Sequence, residues 1–163
     1  MDSEERVAMA EALLGRLLAS VATADSKIGV IFATDTAMLG VLAALAPRFT
    51  LWTWREGVSA IVAGFLLLAS ILLLSLASFP RTTGPKGSLL FFASICRRSL
   101  AQYLDEMREL TVPEYLVDLV SQCHRNAEIA ARKYFWIKWA MKAMYASVPF
   151  WLTTVFLLYR KRA

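Results

Sequence analysis

The uncharged segment 57–79 restricts the fold of this chain more than any other feature. It contains 23 residues and not one charged side chain. About 20 apolar residues in a helix cross a bilayer, where only helices and closed barrels satisfy every backbone polar group. The segment therefore predicts a transmembrane helix and places the chain among integral membrane proteins.

Two more segments have the composition of membrane spans. Residues 28–46 contain a single charged residue, Asp35, and residues 143–159 contain none. The later segment is short for a span and includes Pro149, which membrane helices tolerate with a kink. We therefore predict spans at 28–46 and 57–79, and a third at 143–159 if that segment crosses completely.

Helical patterns continue outside the predicted spans. Apolar residues recur every three or four positions over 3–27, which predicts an amphipathic helix continuous with the first span. Residues 89–110 predict another helix. The sequence Thr111–Glu114 (TVPE) is typical of a helix start, and one very long helix is expected from about 112 to 159.

The first half of this long helix carries small and apolar residues at heptad spacing. Such spacing predicts coiled-coil-like packing against another helix. The residues of this stripe are Val120, Cys123, Ala127, Ala130, Tyr134, Ile137 and Met141. We predict one all-α domain over 1–163, an integral membrane protein whose two to three transmembrane helices continue into a cytosolic helical bundle built from 3–27 and 80–138.

The distribution of positive charge predicts the orientation. Nine Lys and Arg residues lie between Arg81 and Lys138, whereas the loop between the first two spans has only Arg48 and Arg55. The positive-inside rule therefore places residues 80–138 and the N-terminus in the cytosol. Because the cations of this net +5 chain flank its apolar segments, we expect no nucleic-acid partner.

The basic end of the chain conflicts with a third span. Complete crossing by 143–159 would carry Arg160, Lys161 and Arg162 to the outside, against the positive-inside rule. Either these side chains extend to the far interface or the last segment does not cross.

Three charged residues near the first span are candidates for gating or coupling. Asp35 lies inside the span, where ionisable residues usually face a partner or a cavity. It either lines a pore or is held by Thr34, Thr36 or Ser59. Asp25 and Lys27 lie where the preceding helix enters the span. They either anchor the helix at the interface or couple a ligand to the membrane.

A polar stripe on the long helix is the candidate ligand-binding site. Its members, Gln122, Asn126, Ile129 and Lys133, are spaced four, three and four residues apart. Amide groups can contact a nucleobase edge and an ammonium can contact a phosphate, although the same stripe also fits a buried polar seam or a solvated face. Further anion-binding candidates are Arg97, Arg98, Arg125 and Arg132.

Nothing in the sequence has the pattern of a catalytic or metal centre. The two cysteines, Cys96 and Cys123, and the single His124 have no zinc-site spacing. No nucleophile motif or phosphate-binding loop is present. We therefore expect a non-enzymatic protein that needs no metal or other cofactor.

Several short motifs, in this order and spacing, resemble the transmembrane effectors of Pycsar, a bacterial anti-phage system. The resemblance covers about residues 15–158. The motifs are Ala24–Lys27 (ADSK) with Asp35, Phe79–Arg81 (FPR), Gly87–Phe92 (GSLLFF), Tyr115–Gln122 (YLVDLVSQ), Asn126–Ile129 (NAEI) and Arg132–Tyr134 (RKY).

The resemblance implies a multi-pass protein of the bacterial inner membrane with a specific trigger. A neighbouring nucleotide cyclase would make a cyclic pyrimidine mononucleotide, cyclic CMP or cyclic UMP. The effector would then impair the membrane and abort the infection. The family often has an uncharged polar residue such as Asn at the position of Asp35, so an acid there would favour cation passage.

Nucleotide would bind among the cytosolic helices, with Lys133 or an Arg on the phosphate and Gln122 or Asn126 on the base. Because three spans cannot enclose a pore alone, we expect a homo-oligomer with Asp35 facing its axis. The alternatives are the same architecture triggered by a cyclic dinucleotide or a protein partner, and a non-toxic membrane scaffold.

Overall fold

The computed structural model describes residues 2–47, 52–79, 84–85 and 87–162, with only the backbone of Arg162. About 87% of these residues are helical and none forms a strand, which confirms the all-α prediction. The helices are α1 (Ser3–Leu45), α2 (Trp54–Ser78), α3 (Phe92–Ile95), α4 (Leu100–Glu109) and α5 (Val112–Arg162).

Three of these helices, α1, α2 and α5, are long and apolar enough to cross a membrane. Each contains one of the predicted spans, except that α1 and α2 end one residue before the predicted ends at 46 and 79. Helix α1 is uninterrupted from the amphipathic segment into the first span, and α5 is uninterrupted through Pro149, so both long rods are confirmed. The predicted loop residue Arg48 and the basic residue Arg81 lie outside the described residues.

The single helix predicted over 89–110 is wrong. The structure has two shorter helices there, α3 and α4, separated by a turn at residues 96–99. The break occurs because Ser99 acts as the N-cap of α4, where its hydroxyl accepts a hydrogen bond from the backbone N–H of Gln102 at 3.2 Å. Serine competes with the helix for backbone hydrogen bonds and so favours a cap over an interior position.

The predicted start of the long helix is confirmed. The backbone N–H and the hydroxyl of Thr111 both donate to the Glu114 carboxylate, at 2.9 and 2.6 Å. The acid also complements the positive end of the helix dipole. Pro113 occupies the first turn of the helix, where a backbone N–H would have no partner within the helix, so a residue without this donor is tolerated. Hydrogen bonding from Thr111 lowers the pKa of Glu114.

The chain forms two compact units. Unit 1 comprises Met1–Ala24 and Pro80–Arg132, and unit 2 comprises Asp25–Phe79 and Lys133–Ala163. Helices α1 and α5 contribute residues to both units.

In unit 1, an irregular segment is held against α5 by hydrogen bonds. The carboxylate of Asp118 accepts the backbone N–H groups of Leu89 and Leu90 at 2.8 and 3.2 Å. The side-chain amide of Gln122 donates to the hydroxyl of Ser88 at 2.9 Å, and both side chains are buried. Two of the motifs described above, GSLLFF and YLVDLVSQ, are therefore in direct contact.

In unit 2, one face of α2 is buried and the opposite face is exposed. The buried face combines the small residues Ser59, Ala63 and Ser70 with Leu67 and Leu74, at the three- and four-residue spacing of one helix face. The opposite face exposes Ile61 and Phe65 at 72% and 70%. A helix that buries serine hydroxyls while exposing large apolar side chains suits a lipid environment.

The buried stripe of α5 agrees with the predicted one at three of its seven positions and is displaced by one residue at three others. Ala127 is exposed and Val120 is 54% exposed, so their assignment to the seam is wrong. Cys123, Ala130 and Ile137 are buried as predicted. The remaining buried positions are Leu119, Gln122, Lys133, Ala140, Ser147, Thr154 and Leu158.

Candidate functional site

Lys133 and Asp25 form an ion pair that joins α5 to α1 in unit 2. The Lys133 ammonium donates to the Asp25 carboxylate. Only 11% of the lysine side chain is exposed, against 51% for the aspartate. The pair is therefore asymmetric: the cation depends on its partner for solvation, whereas the carboxylate also reaches solvent.

Lys27 makes a second contact between the same two helices. Its ammonium lies 5.3 Å from the centre of the Tyr134 ring, within the range of a cation–π interaction. The ADSK motif of α1 thus meets the RKY motif of α5 through two adjacent contacts. The predicted candidates Asp25, Lys27 and Lys133 lie close together, which the sequence spacing alone did not require.

Asp35 is the most unusual side chain in unit 2. It is completely buried, and neither carboxylate oxygen has a hydrogen-bond partner among the described residues. The Ser70 hydroxyl is likewise buried without a hydrogen-bond partner among the described residues. A buried carboxylate without a donor is unfavourable in an apolar interior.

The three polar neighbours suggested by sequence do not hold Asp35. Thr34 and Thr36 donate to backbone carbonyls of their own helix, at 2.9 and 2.8 Å. Ser59 donates to carbonyls of α2 and accepts a hydrogen bond from Thr154 at 2.9 Å. Asp35 is enclosed by its own chain in this structure, so facing an oligomer axis would require a change of packing.

A second ion pair joins α2 to α5 in unit 2. The Lys161 ammonium donates to the Glu56 carboxylate at 2.7 Å, and the backbone N–H of Thr53 donates to the same carboxylate at 2.9 Å. The Glu56 side chain is only 5% exposed. This pair supplies a counter-charge to the basic end of the chain, which sequence analysis had placed in conflict with a third span.

The other predicted ligand-binding residues have intramolecular partners or face solvent. Gln122 holds Ser88, and the Asn126 amide donates to the backbone carbonyl of Gln122 at 2.9 Å. Arg125 pairs with Glu128 at 2.9 Å. Arg132 is exposed. The stripe is therefore a buried polar seam at Gln122, one of the interpretations that the spacing had left open.

Two cavities of unit 1 are lined in part by Ser121, the residue before Gln122, and they differ in charge. One, of about 620 Å³, is lined by four carboxylates, those of Glu106, Glu109, Glu114 and Asp118, and would repel an anionic nucleotide. The other, an open cleft of about 630 Å³, includes His124 and Arg125. Of the two, only this cleft offers a cation to a phosphate.

Sequence analysis missed several polar residues of unit 2. Ser70, Ser147 and Thr154 are completely buried, and the partnership of Glu56 with Lys161 was not foreseen. Ser59 and Ser70 lie eleven residues apart, which places them on one face of α2, and this was an available signal. Which face of α2 is buried, however, depends on packing with the other helices. The distribution of small and large residues along α2 indicates the buried face only weakly.

Fold and site together define a class, the all-α membrane proteins, here with three apolar helices and an ionisable group buried among them. Residues 9–160 match the Pycsar effector protein domain. Because the match covers nearly the whole chain, the protein belongs to the Pycsar effector family and is an anti-phage membrane effector. No curated protein and no solved structure matches the chain.

Proposed function

We propose that this effector is triggered by a cyclic pyrimidine mononucleotide, cyclic CMP or cyclic UMP, and then impairs the bacterial inner membrane so that infection aborts. The observation that carries the proposal is the family match over residues 9–160. The apolar helices α1, α2 and α5 and the buried carboxylate of Asp35 are consistent with a protein that acts within the bilayer.

The proposed trigger is the exchange of one anion for another at Lys133. In the structure its ammonium is paired with Asp25 and otherwise nearly buried. The phosphate of a cyclic nucleotide carries one negative charge and accepts the same charge-assisted hydrogen bonds as a carboxylate. Binding would release Asp25, which is half exposed and readily solvated, and so loosen the contact between α1 and α5.

The proposed output is a rearrangement of unit 2 that exposes Asp35. A ligand shifts a conformational equilibrium only by its preference for one state. Here the preferred state lacks the Asp25–Lys133 contact, which helps to hold α1 against α5. Separation of these helices in a homo-oligomer would give the Asp35 carboxylate access to water and cations.

Isothermal titration of the detergent-purified chain with cyclic CMP, cyclic UMP and cyclic AMP tests the trigger. We expect selective binding of one pyrimidine nucleotide, abolished by Lys133→Ala. Lys138→Ala is the matched control, because Lys138 is an exposed lysine on the same helix, and it should bind as wild type does. Unchanged affinity in Lys133→Ala would refute the phosphate contact.

Coexpression with a nucleotide cyclase separates the remaining alternatives. Toxicity that requires the cyclase supports the proposal. Toxicity without any binding of the three nucleotides would indicate another trigger, such as a cyclic dinucleotide or a protein partner. Absence of toxicity with an active pyrimidine cyclase would instead favour a membrane scaffold.

A further inference from the structure

Unit 2 has more cations than its own acids can neutralise. Its sequence contains only three acidic residues, Asp25, Asp35 and Glu56. Asp25 pairs with Lys133, Glu56 pairs with Lys161, and Asp35 is enclosed. Residues 129–163 contain no acid at all. Any further cation in this unit is therefore solvated by water or paired with an anion from outside the unit.

Three such cations surround one cavity. Among the described residues, no carboxylate pairs with Lys27, Lys138 or Lys142. All three line an open cavity of about 270 Å³ between α1 and α5. The complete lining is Lys27, Tyr134, Ile137, Lys138, Met141, Lys142 and Tyr145. The cavity thus combines apolar walls with three ammonium groups, an arrangement that fits an amphipathic anion.

The position of the cavity along the helices matches the edge of the bilayer. Lys27 immediately precedes the first span at 28–46, and Lys142 immediately precedes the last at 143–159. Aromatic side chains surround the same level of α5: Trp139 and Tyr145 are 46% and 60% exposed. Exposed aromatic residues and lysines at the end of a span are typical of the lipid headgroup region.

Lys142 is already oriented by an aromatic ring. Its ammonium lies 4.3 Å from the centre of the Trp139 ring, and the Lys27 ammonium lies above Tyr134 in the same way. Cation–π contacts orient a charge without neutralising it, since the ring contributes only a quadrupole. Both ammonium groups therefore keep their full charge and remain available to an anion.

We propose that this cavity binds the phosphate headgroup of an anionic phospholipid. The phosphate would accept hydrogen bonds from Lys27, Lys138 and Lys142, and the first part of an acyl chain would lie against Ile137 and Met141. Basic pockets between transmembrane helices on the cytoplasmic side recognise such headgroups. The apolar wall favours a lipid over a soluble anion, because a soluble phosphate gains nothing from covering it.

Native mass spectrometry of the detergent-purified full-length protein tests this site. The probes are phosphatidylglycerol and phosphatidylcholine of the same acyl length. The variant is Lys138→Gln/Lys142→Gln. Its control is Arg97→Gln/Arg108→Gln, which removes the same charge from exposed positions of unit 1. We expect wild type and control to retain phosphatidylglycerol preferentially, and the lysine variant to bind it about tenfold more weakly.

Further measurements test the source of the bound phosphate and the integrity of the fold. Lys138→Arg/Lys142→Arg should restore lipid retention, and circular dichroism should show equal helicity for all variants. Equal phosphatidylglycerol retention by wild type and the Gln variant would overturn the proposal. The proposal would also be overturned if these lysines were required for the binding of cyclic CMP or inorganic phosphate and not for the binding of lipid. Because Lys133 is intact in every variant, failure here is distinguishable from failure of the nucleotide trigger.

Discussion

Asp35 combines two properties that rarely occur together: complete burial and no hydrogen-bond donor among the described residues. A side chain of this kind lowers stability and is retained when function requires it. We expect Asp35→Leu to raise the free energy of unfolding in detergent by about 1–3 kcal/mol and to reduce cyclase-dependent toxicity. Thermal unfolding and growth after coexpression measure the two effects.

Thr34→Leu is the matched control for this prediction. Thr34 is exposed on the same helix, and its hydroxyl donates to the carbonyl of Val30 within α1. The same increase in apolar volume at this position should change neither unfolding nor toxicity. A loss of toxicity in both variants would mean that α1 tolerates no added bulk, and the role assigned to the carboxylate would be wrong.

The unequal burial of Lys133 and Asp25 predicts unequal effects of removing them. Asp25→Asn leaves a nearly buried ammonium without its counter-charge and should destabilise the protein by about 2–4 kcal/mol. Lys133→Met leaves a half-exposed carboxylate and should cost about 1 kcal/mol. Chemical unfolding in detergent measures both values, and the double variant should be more stable than Asp25→Asn. Equal losses of stability in Asp25→Asn and Lys133→Met would contradict the role given to the unequal burial of the two side chains.

The residues of the candidate site were predictable from the sequence, but the partners that they contact were not. Charges at 25, 27, 35 and 133 stand out in the sequence because they lie in or next to apolar segments. Their contacts depend on how α1 and α5 are aligned, and no local pattern specifies that alignment. Gln122 shows the same limit, since its role in holding Ser88 depends on an irregular segment 34 residues away.

At the scale of the elements, Arg98 organises the region between α3 and α4. Its guanidinium donates to the Glu106 carboxylate at 2.7 Å and to the backbone carbonyls of Gly87, Ser88 and Ser94 at 2.9–3.1 Å. A lysine cannot reproduce this planar set of donors. We expect Arg98→Lys to destabilise unit 1 by about 2 kcal/mol, measured as faster amide hydrogen exchange in α4.

Arg97→Lys is the control for this effect, because Arg97 is the adjacent arginine and is exposed. Arg97→Lys should change the free energy of amide hydrogen exchange in α4 by no more than about 0.5 kcal/mol. Similar acceleration in both variants would show that α4 responds to the loss of any guanidinium. The Arg98 hydrogen-bond network would then not be what holds α4 in place.

The elements themselves were largely predictable, and the exceptions have physical causes. Apolar length revealed the three long helices, and the Thr111–Glu114 sequence gave the start of α5. The break at Ser99 was missed because apolar periodicity continues past a residue that caps rather than extends a helix. The seam of α5 was misplaced because adjacent residues such as Leu119 and Val120 are both apolar, so apolar character does not identify the inward position.

At the scale of the whole molecule, three spans require the two ends of the chain to lie on opposite sides of the membrane. Cys96 is exposed in unit 1, and Tyr159 is exposed near the end of α5. A membrane-impermeant maleimide should label Cys96 only in permeabilised cells. It should label Tyr159→Cys, made in a Cys96→Ser background, in intact cells.

The second native cysteine should not interfere with this labelling. Cys123 is buried, and burial raises the pKa of its thiol, so little thiolate is available to react. The Cys96→Ser variant without a new cysteine provides the background signal. Labelling of Tyr159→Cys only after permeabilisation would show that 143–159 enters the membrane without crossing it.

The ion pairs Asp25–Lys133 and Glu56–Lys161 also give unit 2 a characteristic length. At about 1.5 Å per residue, the part of α5 from Lys133 to Lys161 is about 42 Å long, close to the thickness of a bilayer with its headgroups. In a thinner membrane one pair would have to leave the headgroups or the helix would have to tilt. The spacing of the two salt bridges thus matches one bilayer thickness, and the effector should be sensitive to hydrophobic mismatch as well as to the proposed nucleotide.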